Sequence, residues 1–466
     1  MSAAERPWSG RRLHFVGVGG AGMSAYARAA HALGAHVSGS DGADGPYLQR
    51  LRADGVVSAH VGHRAENLPA GEGVELVYSS AVGAENVERR AARERGIPER
   101  PRAELLAELS AMRRTIAVAG THGKTTTASM LAHVLLAAGM RPGWLVGAPI
   151  GGGFANAQWG EGEWLVVEAD ESDRSMLSLS VEIAVLTNVE LDHHATFASL
   201  AELRKAFREL LAHVRRAVVV WDRGELLELA PGAGVELVPF DVPDPLLTHE
   251  GSRFAWRGHE VSLAVPGAHN ALDAAAALEA ARLAGADVHA SLAALAGFRG
   301  AGRRFQPLGV SARGARVYDD YAHHPTEVAA TLRAARTLAP ERLIAVFQPH
   351  LYSRTALLAR EFGRALALAD VAVVLDVYPA RERSQDHPGV SGLLIAQACA
   401  DAAGGRPVYW LPRLEDAKPV LDALLEQGDV CVVMGAGDVD TLARALASTP
   451  QAPASLLDSS PRVAAS

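Results

Sequence analysis

The segment TIAVAGTHGKTTTASMLAHVLLAAG, residues 115–139, constrains the fold more than any other part of the chain. An apolar run ends at Ala119, a turn passes through Gly120 and Gly123, and Lys124 and Thr125 open an Ala/Leu-rich helix closed by Gly139. A strand that feeds a helix through a glycine turn aims backbone N–H groups and the positive helix end at one point, where phosphate oxygens bind. Lys124 adds a point charge suited to β/γ-phosphates, and the Thr125 hydroxyl suits Mg2+. The loop is shorter than the general P-loop, because Gly120 stands only three residues before Gly123.

A phosphate loop of this kind needs an acid for its metal. EWLVVEADESD supplies Glu168, Asp170, Glu171 and Asp173. Glu168 directly follows an apolar run, which puts it at a strand's carboxyl end, the edge where open α/β sheets bind ligands. The next apolar run, in EIAVLTNVELDHH, ends in Asn188, Glu190, Asp192, His193 and His194. A neutral imidazole there is a legitimate metal ligand, although a histidine at a strand end equally serves structure.

Strand-like and helix-like runs alternate over nearly the whole chain, which reads as α/β with mostly parallel sheets. A chain of 466 residues calls for two or three domains. The first block carries G-x-G-x-x-G at Gly17, Gly19 and Gly22, between a strand expected at 13–18 and a helix at 24–33, with Asp41 following. That pattern fits a diphosphate at a helix end and, on its own, equally a redox dinucleotide. The turn in RERGIPERPRAELL marks a boundary. In the second block FAWRGHEVSLAV reads as a hairpin and 270–284 as a long helix. The third, from ARVYDDYAHHPTE, repeats strand–helix units in RLIAVFQPH, DVAVVLDVYPA and DVCVVMGAG, a second doubly wound sheet.

A net charge of −8 argues against a general nucleic-acid or acidic-membrane surface. Two cysteines, Cys399 and Cys431, exclude a disulfide framework and a cysteine-based zinc site. The start shows no apolar signal core, and no run reaches the ~18 apolar residues of a membrane span, so a cytoplasmic location is expected. The polar, proline-containing stretch 449–466 reads as a flexible tail.

Eleven ordered pieces carry a resemblance across nearly the whole chain: HFVGVGGAGMS, VSGSD, YSSAV, GTHGKTTT, EADESD, TNVELDHH, HNALDAAAA, GAGRRF, DDYAHHPTE, FQPHLYSRT and VYPARE. In them the chain closely resembles the Mur ligases of peptidoglycan synthesis, and the members that add L-alanine in particular. The short GTHGKTTT loop is typical of that superfamily. The resemblance implies three domains: a UDP-binding Rossmann-like domain at 1–104, a central P-loop ATPase domain at 105–306 and a C-terminal Rossmann-like domain at 307–448. It implies ATP-dependent amide formation between L-alanine and the lactyl carboxylate of UDP-N-acetylmuramate, through an acyl phosphate. ATP and Mg2+, or Mn2+ in its place, would be required, in a monomer or homodimer. An alternative within the same fold is the murein-peptide recycling ligase, which takes a peptide acceptor.

The same resemblance implies site residues. Gly17, Gly19, Gly20, Ala21, Gly22, Met23, Asp41, Ser79 and Ser80 would hold the UDP-sugar. Gly120, Thr121, His122, Gly123, Lys124, Thr125 and Thr126 would hold ATP, with Lys124 on the β/γ-phosphates and Asn270 at the adenine. Thr125 and Glu168 would ligate one Mg2+, and Glu168 and His193 a second. Arg304 and Asp320 would close from the far side, and His324, His350 and Arg354 would serve the amino acid. Asn270 could also cap its helix, and AHHPTE could be a helix start with Pro325 in its first turn. Of the adjacent Arg303 and Arg304, the family pattern favours Arg304. The chain departs from common family residues at Ala195, Asp273 and Leu351. Lys205 is the nearest candidate for a carbamylated metal bridge, but its spacing does not secure the role.

Overall fold

The computed structural model describes residues 6–447 apart from 195, 231 and 233. Ala195 and the expected tail at 449–466 therefore lie outside the described residues. The chain divides into two compact units at the Gly302–Arg303 junction.

The first unit opens with five parallel strands: β1 (Arg12–Val16), β2 (His36–Asp41), β3 (Ser58–Val61), β4 (Val74–Tyr78) and β5 (Glu99–Pro101), in the order β3-β2-β1-β4-β5. Its helices are α1 (Ala21–Ala32), α2 (Pro46–Ala53), α3 (Val87–Glu94) and α4 (Arg102–Ala111). Helix α4 sends Leu105, Leu106 and Leu109 into a core that runs on into the next sheet without a break.

That next sheet has seven strands: β6 (Arg114–Ala119), β7 (Gly143–Leu145), β8 (Ala157–Gln158), β9 (Trp164–Glu168), β10 (Ile183–Leu186), β11 (Ala217–Trp221) and β12 (Glu236–Phe240). The order is β12-β11-β10-β6-β9-β7-β8, parallel throughout except at β8. The inner strands are apolar on both faces, as a sheet covered by helices on both sides requires. Its helices are α5 (Lys124–Ala137), α6 (Leu200–Ala212), α7 (Gly224–Leu227), α8 (Ala268–Ala284) and α9 (Val288–Gly297). Helix α5 is buried nearly all round, and the alanine-rich α8 packs against it because small side chains permit close approach. The expected hairpin is present within a small antiparallel sheet, β13 (Leu246–Thr248), β14 (Gly251–Trp256) and β15 (His259–Leu263).

The second unit holds six strands: β16 (Gln306–Val310), β17 (Arg316–Asp320), β18 (Leu343–Phe347), β19 (Val371–Leu375), β20 (Val408–Leu411) and β21 (Val430–Met434). Their order is β16-β17-β21-β18-β19-β20, with only β16 antiparallel. Helices α10 (Pro325–Arg336) and α11 (Tyr352–Leu366) follow β17 and β18. The α/β class with mostly parallel sheets is thus as the alternating runs foretold. No helix among the described residues is long and apolar enough to cross a membrane.

Candidate functional site

Strand order builds the phosphate loop. Because β6 lies between β9 and β10, its loop is flanked by the carboxyl ends of both. Gly120 and Gly123 have φ of +131° and +80°, and a Cβ on them would collide with Thr187 Oγ1 and Asp273 Oδ1 respectively. Glycine is therefore required at both positions. The segment after β10 grips the loop: Thr187 Oγ1 and Asn188 Nδ2 donate to the His122 carbonyl at 2.6 and 3.0 Å. Thr121 Oγ1 donates to the Glu190 carbonyl at 2.8 Å and accepts from Glu190 N at 2.9 Å. Thr126 is buried in the first turn of α5.

Lys124 Nζ donates to the carbonyls of Gly120 (2.6 Å) and Thr121 (2.9 Å) and to Glu171 Oε1 (3.0 Å). Burial works to lower the Lys124 pKa, but the carboxylates of Glu171, Glu168 and Asp170 outweigh it and hold it above the ordinary lysine value. Thr125 Oγ1 donates to Glu168 Oε1 at 2.8 Å, and Gly147 N donates to the other Glu168 oxygen at 2.7 Å. His193, at φ +54°, sets Nε2 3.4 Å from Glu171 Oε1. Burial again opposes its protonation, and Glu171 and Asp192 again prevail, raising its pKa.

Glu171, almost fully buried, is thus shared by Lys124 and His193. It stands inside the acidic run that the sequence singles out, yet strand-end reasoning favours Glu168, the last strand residue. Asn270 is buried in the first turn of α8; its Nδ2 donates to the Pro266 carbonyl at 2.7 Å, and Gly267 is the capping residue. Lys205 lies on the exposed face of α6.

The first glycine loop joins β1 to α1, with Gly17 at φ +83° and Gly20 capping a helix that begins at Ala21. Gly22 lies in its first turn, and the Met23 side chain faces the core. Asp41 ends β2 and accepts from Gly19 N at 2.8 Å, so the acid and the glycine turn brace each other. Ser79 follows β4 beside Gly17, and Ser80 is exposed. Arg102, in the turn that the sequence marks only as a boundary, donates to Asp173 Oδ2 (2.6 Å) and Asp170 Oδ2 (2.7 Å). Its Nη1 comes within 3.1 Å of where a Gly22 Cβ would stand, so Arg102 sits between the first glycine loop and the acidic loop. Only the fold reveals this, since its acids lie 68 and 71 residues away.

In the second unit, Asp320 ends β17 and accepts from Phe305 N and Ala322 N, both at 2.7 Å. Burial pushes its pKa up to about 6 against the pull of Arg304. The Arg304 guanidinium lies over the Tyr321 ring at 4.7 Å. Arg303 instead donates to buried Asp319 (3.1 Å) and to the Gly435 carbonyl (2.7 Å), a structural tie. His324 caps α10 in a capping box with Glu327, so AHHPTE is indeed a helix start. His350 stacks on Tyr378 at 5.9 Å, and Arg354 Nη1 reaches His350 Nδ1 at 3.3 Å. Leu351 between them takes φ +71°, a strained value for a branched side chain.

The family model described as Mur ligase family, catalytic domain, matches residues 12–114; Mur ligase middle domain matches 118–281; Mur ligase, glutamate ligase domain, matches 303–437. The UDP-N-acetylmuramate–L-alanine ligase of Rubrobacter xylanophilus is 43% identical over 444 residues, covering 92% of this chain and 97% of its own. That of Kineococcus radiotolerans is 46% identical over 464 residues, covering 92% and 94%. The crystal structure of the UDP-N-acetylmuramate–alanine ligase MurC from Thermotoga maritima superposes with a TM-score of 0.80 at 28% identity, covering 93% of this chain and 98% of that one. The chain belongs to the Mur ligase family.

Proposed function

We propose that the protein joins L-alanine to the lactyl carboxylate of UDP-N-acetylmuramate, using ATP, in the first amino-acid addition of peptidoglycan precursor synthesis. The observation that carries the chemistry is the phosphate loop with Lys124 over its carbonyls and the Thr125–Glu168 pair beside it. The acceptor is inferred from what the full-length relatives are named for.

In this reading a lactyl carboxylate oxygen attacks the γ-phosphorus, and ADP leaves. The alanine amine then attacks the acyl carbon, the tetrahedral intermediate expels phosphate, and the amide nitrogen loses a proton. Lys124, already cationic, would trade its loop carbonyls for the β/γ-phosphate oxygens and offset their charge. Mg2+ takes oxygen donors, and Thr125 Oγ1 and Glu168 Oε1 stand 2.8 Å apart at the loop, so these residues fit it; Glu168 and His193 would hold a second Mg2+, and Mn2+ would substitute for Mg2+. When bound, the cation supplies positive charge to the crowded phosphate oxygens.

Residues 1–104 would hold the UDP-sugar, with the diphosphate on Gly17–Met23 and Asp41, Ser79 and Ser80 beside it. Residues 105–306 would hold ATP, with Asn270 at the base. Arg304, on the hinge, and Asp320, in residues 307–448, would reach the nucleotide, and His324, His350 and Arg354 would serve the amino acid. The acyl phosphate is labile to water, which favours closure over the site.

The test is phosphate release by the purified protein with ATP, Mg2+, UDP-N-acetylmuramate and L-alanine, and with each left out in turn. Release is expected only in the full mixture. Equal release without L-alanine, or faster turnover with an L-alanine-containing tripeptide, would overturn the choice of acceptor.

A further inference from the structure

A buried polar cluster in the first sheet takes no part in the chemistry above. Glu88 is fully buried and accepts from Ser40 Oγ (2.7 Å), Asn67 Nδ2 (2.6 Å), Arg64 N (3.0 Å) and His14 Nε2 (3.1 Å). Burial works to raise its pKa, but these bonds overcome it and hold the carboxyl near 2, so Glu88 is a carboxylate that only accepts. That settles the direction of the next bond. The single Ser40 hydroxyl proton goes to Glu88, so Ser40 Oγ must accept from His63 Nδ1, 2.9 Å away. In the neutral ring a proton on Nδ1 leaves Nε2 as an acceptor. Nε2 has no partner among the described residues, and the side chain is 26% exposed.

The position of His63 gives that acceptor a use. The first glycine loop follows β1, Asp41 ends the neighbouring β2, and His63 follows β3 on the far side of β2. Gly62 N donates to the Asp41 carbonyl at 2.7 Å, and His63 Nε2 stands 4.0 Å from where a Gly42 Cβ would be. A nucleotide with its diphosphate on the loop and its ribose at Asp41 therefore directs its base along the carboxyl edge toward β3.

We propose that His63 determines base specificity, with its Nε2 accepting the N3–H of uracil while Ser40 and Glu88 fix the ring's tautomer. The proposal rests on the reading of this loop as the UDP site. Uracil carries a proton at N3; cytosine presents a lone pair there, which would face the lone pair of Nε2. A site built around one hydrogen bond rejects analogues that leave it unmade.

Calorimetric titration of the full-length protein at about pH 8, above the ordinary imidazole range, tests this with UDP, CDP and N3-methyl-UDP. The wild type is expected to bind UDP at least about tenfold more tightly than either analogue. His63→Ala should weaken UDP by about tenfold, leave N3-methyl-UDP no weaker, and abolish the preference for UDP over CDP. His63→Gln, whose amide oxygen can accept, should restore part of that preference. Equal wild-type affinity for UDP and N3-methyl-UDP, or an equal loss of all three ligands in His63→Ala, would overturn the role of His63 alone. Failure of the wild type to bind any of the three would overturn the UDP site together with it.

Discussion

Lys124 Nζ and Glu171 Oε1 meet at 3.0 Å beneath the phosphate loop, and His193 Nε2 approaches the same carboxylate at 3.4 Å. One buried anion thus holds a lysine from the start of α5 and a histidine from beyond β10. The lysine is thus held in its charged form before any nucleotide arrives, and only its hydrogen-bond partners change when phosphate oxygens replace the loop carbonyls.

Lys124→Ala should lower kcat by about 10²–10³-fold or more, the usual scale for losing one preorganised electrostatic donor. It should also cost about 3 kcal/mol of stability, since Glu171 loses its main counter-charge. The double variant Lys124→Ala/Glu171→Gln separates the two effects: denaturant unfolding should show stability recovered while turnover stays low. A near-normal rate in Lys124→Ala would remove it from the mechanism.

Gly123→Ala should be worse than Gly139→Ala. Both glycines have positive φ, which costs a residue with a Cβ about 1–2 kcal/mol. Only at Gly123 does the new methyl group also strike Asp273, whereas Gly139 faces open space. Chemical denaturation should show the Gly123 variant at least about 1 kcal/mol less stable than the Gly139 variant, and Asp273→Ala should relieve the difference. Equal stabilities would mean that Asp273 yields freely.

Glu168→Gln keeps an acceptor for Thr125 but removes the charge. The Mg2+ concentration for half-maximal activity should rise by about 10–100-fold, with thermal stability little changed. An unaltered metal requirement would place the cation elsewhere.

Asp320 has a folded-state pKa raised from 3.8 to about 6. An acid raised on folding keeps its proton longer in the folded chain, so its contribution to stability falls as pH climbs through that window. Two pKa units correspond to about 3 kcal/mol. The difference in unfolding free energy between wild type and Asp320→Asn should therefore shift by about that much from pH 4 to pH 7, in favour of the variant at the higher pH. A flat difference would mean that Arg304 compensates burial in full.

What the sequence by itself determined is what contiguous residues can encode. Strand, glycine turn, Lys-Thr and helix at 115–139 specify a phosphate loop because all four lie within one βα unit. Apolar runs fixed the class of sheet, and Glu168 could be placed at a strand end because it directly follows its strand. The bounds of α1 were less legible: it begins at Ala21 rather than Ser24, because Gly22 opens a first turn that hydrophobic periodicity does not register.

Only the tertiary structure decided which of several nearby acids does what. Placing β9 and β10 on either side of β6 turns Glu171, and not its more prominent neighbour Glu168, toward both Lys124 and His193. The pairing of Arg102 with Asp170 and Asp173, the bracing of Gly19 by Asp41, and the chain from Glu88 through Ser40 to His63 join residues 22 to 71 positions apart. Those contacts follow from strand order and from which way each side chain points, and neither is a property of any short stretch of sequence.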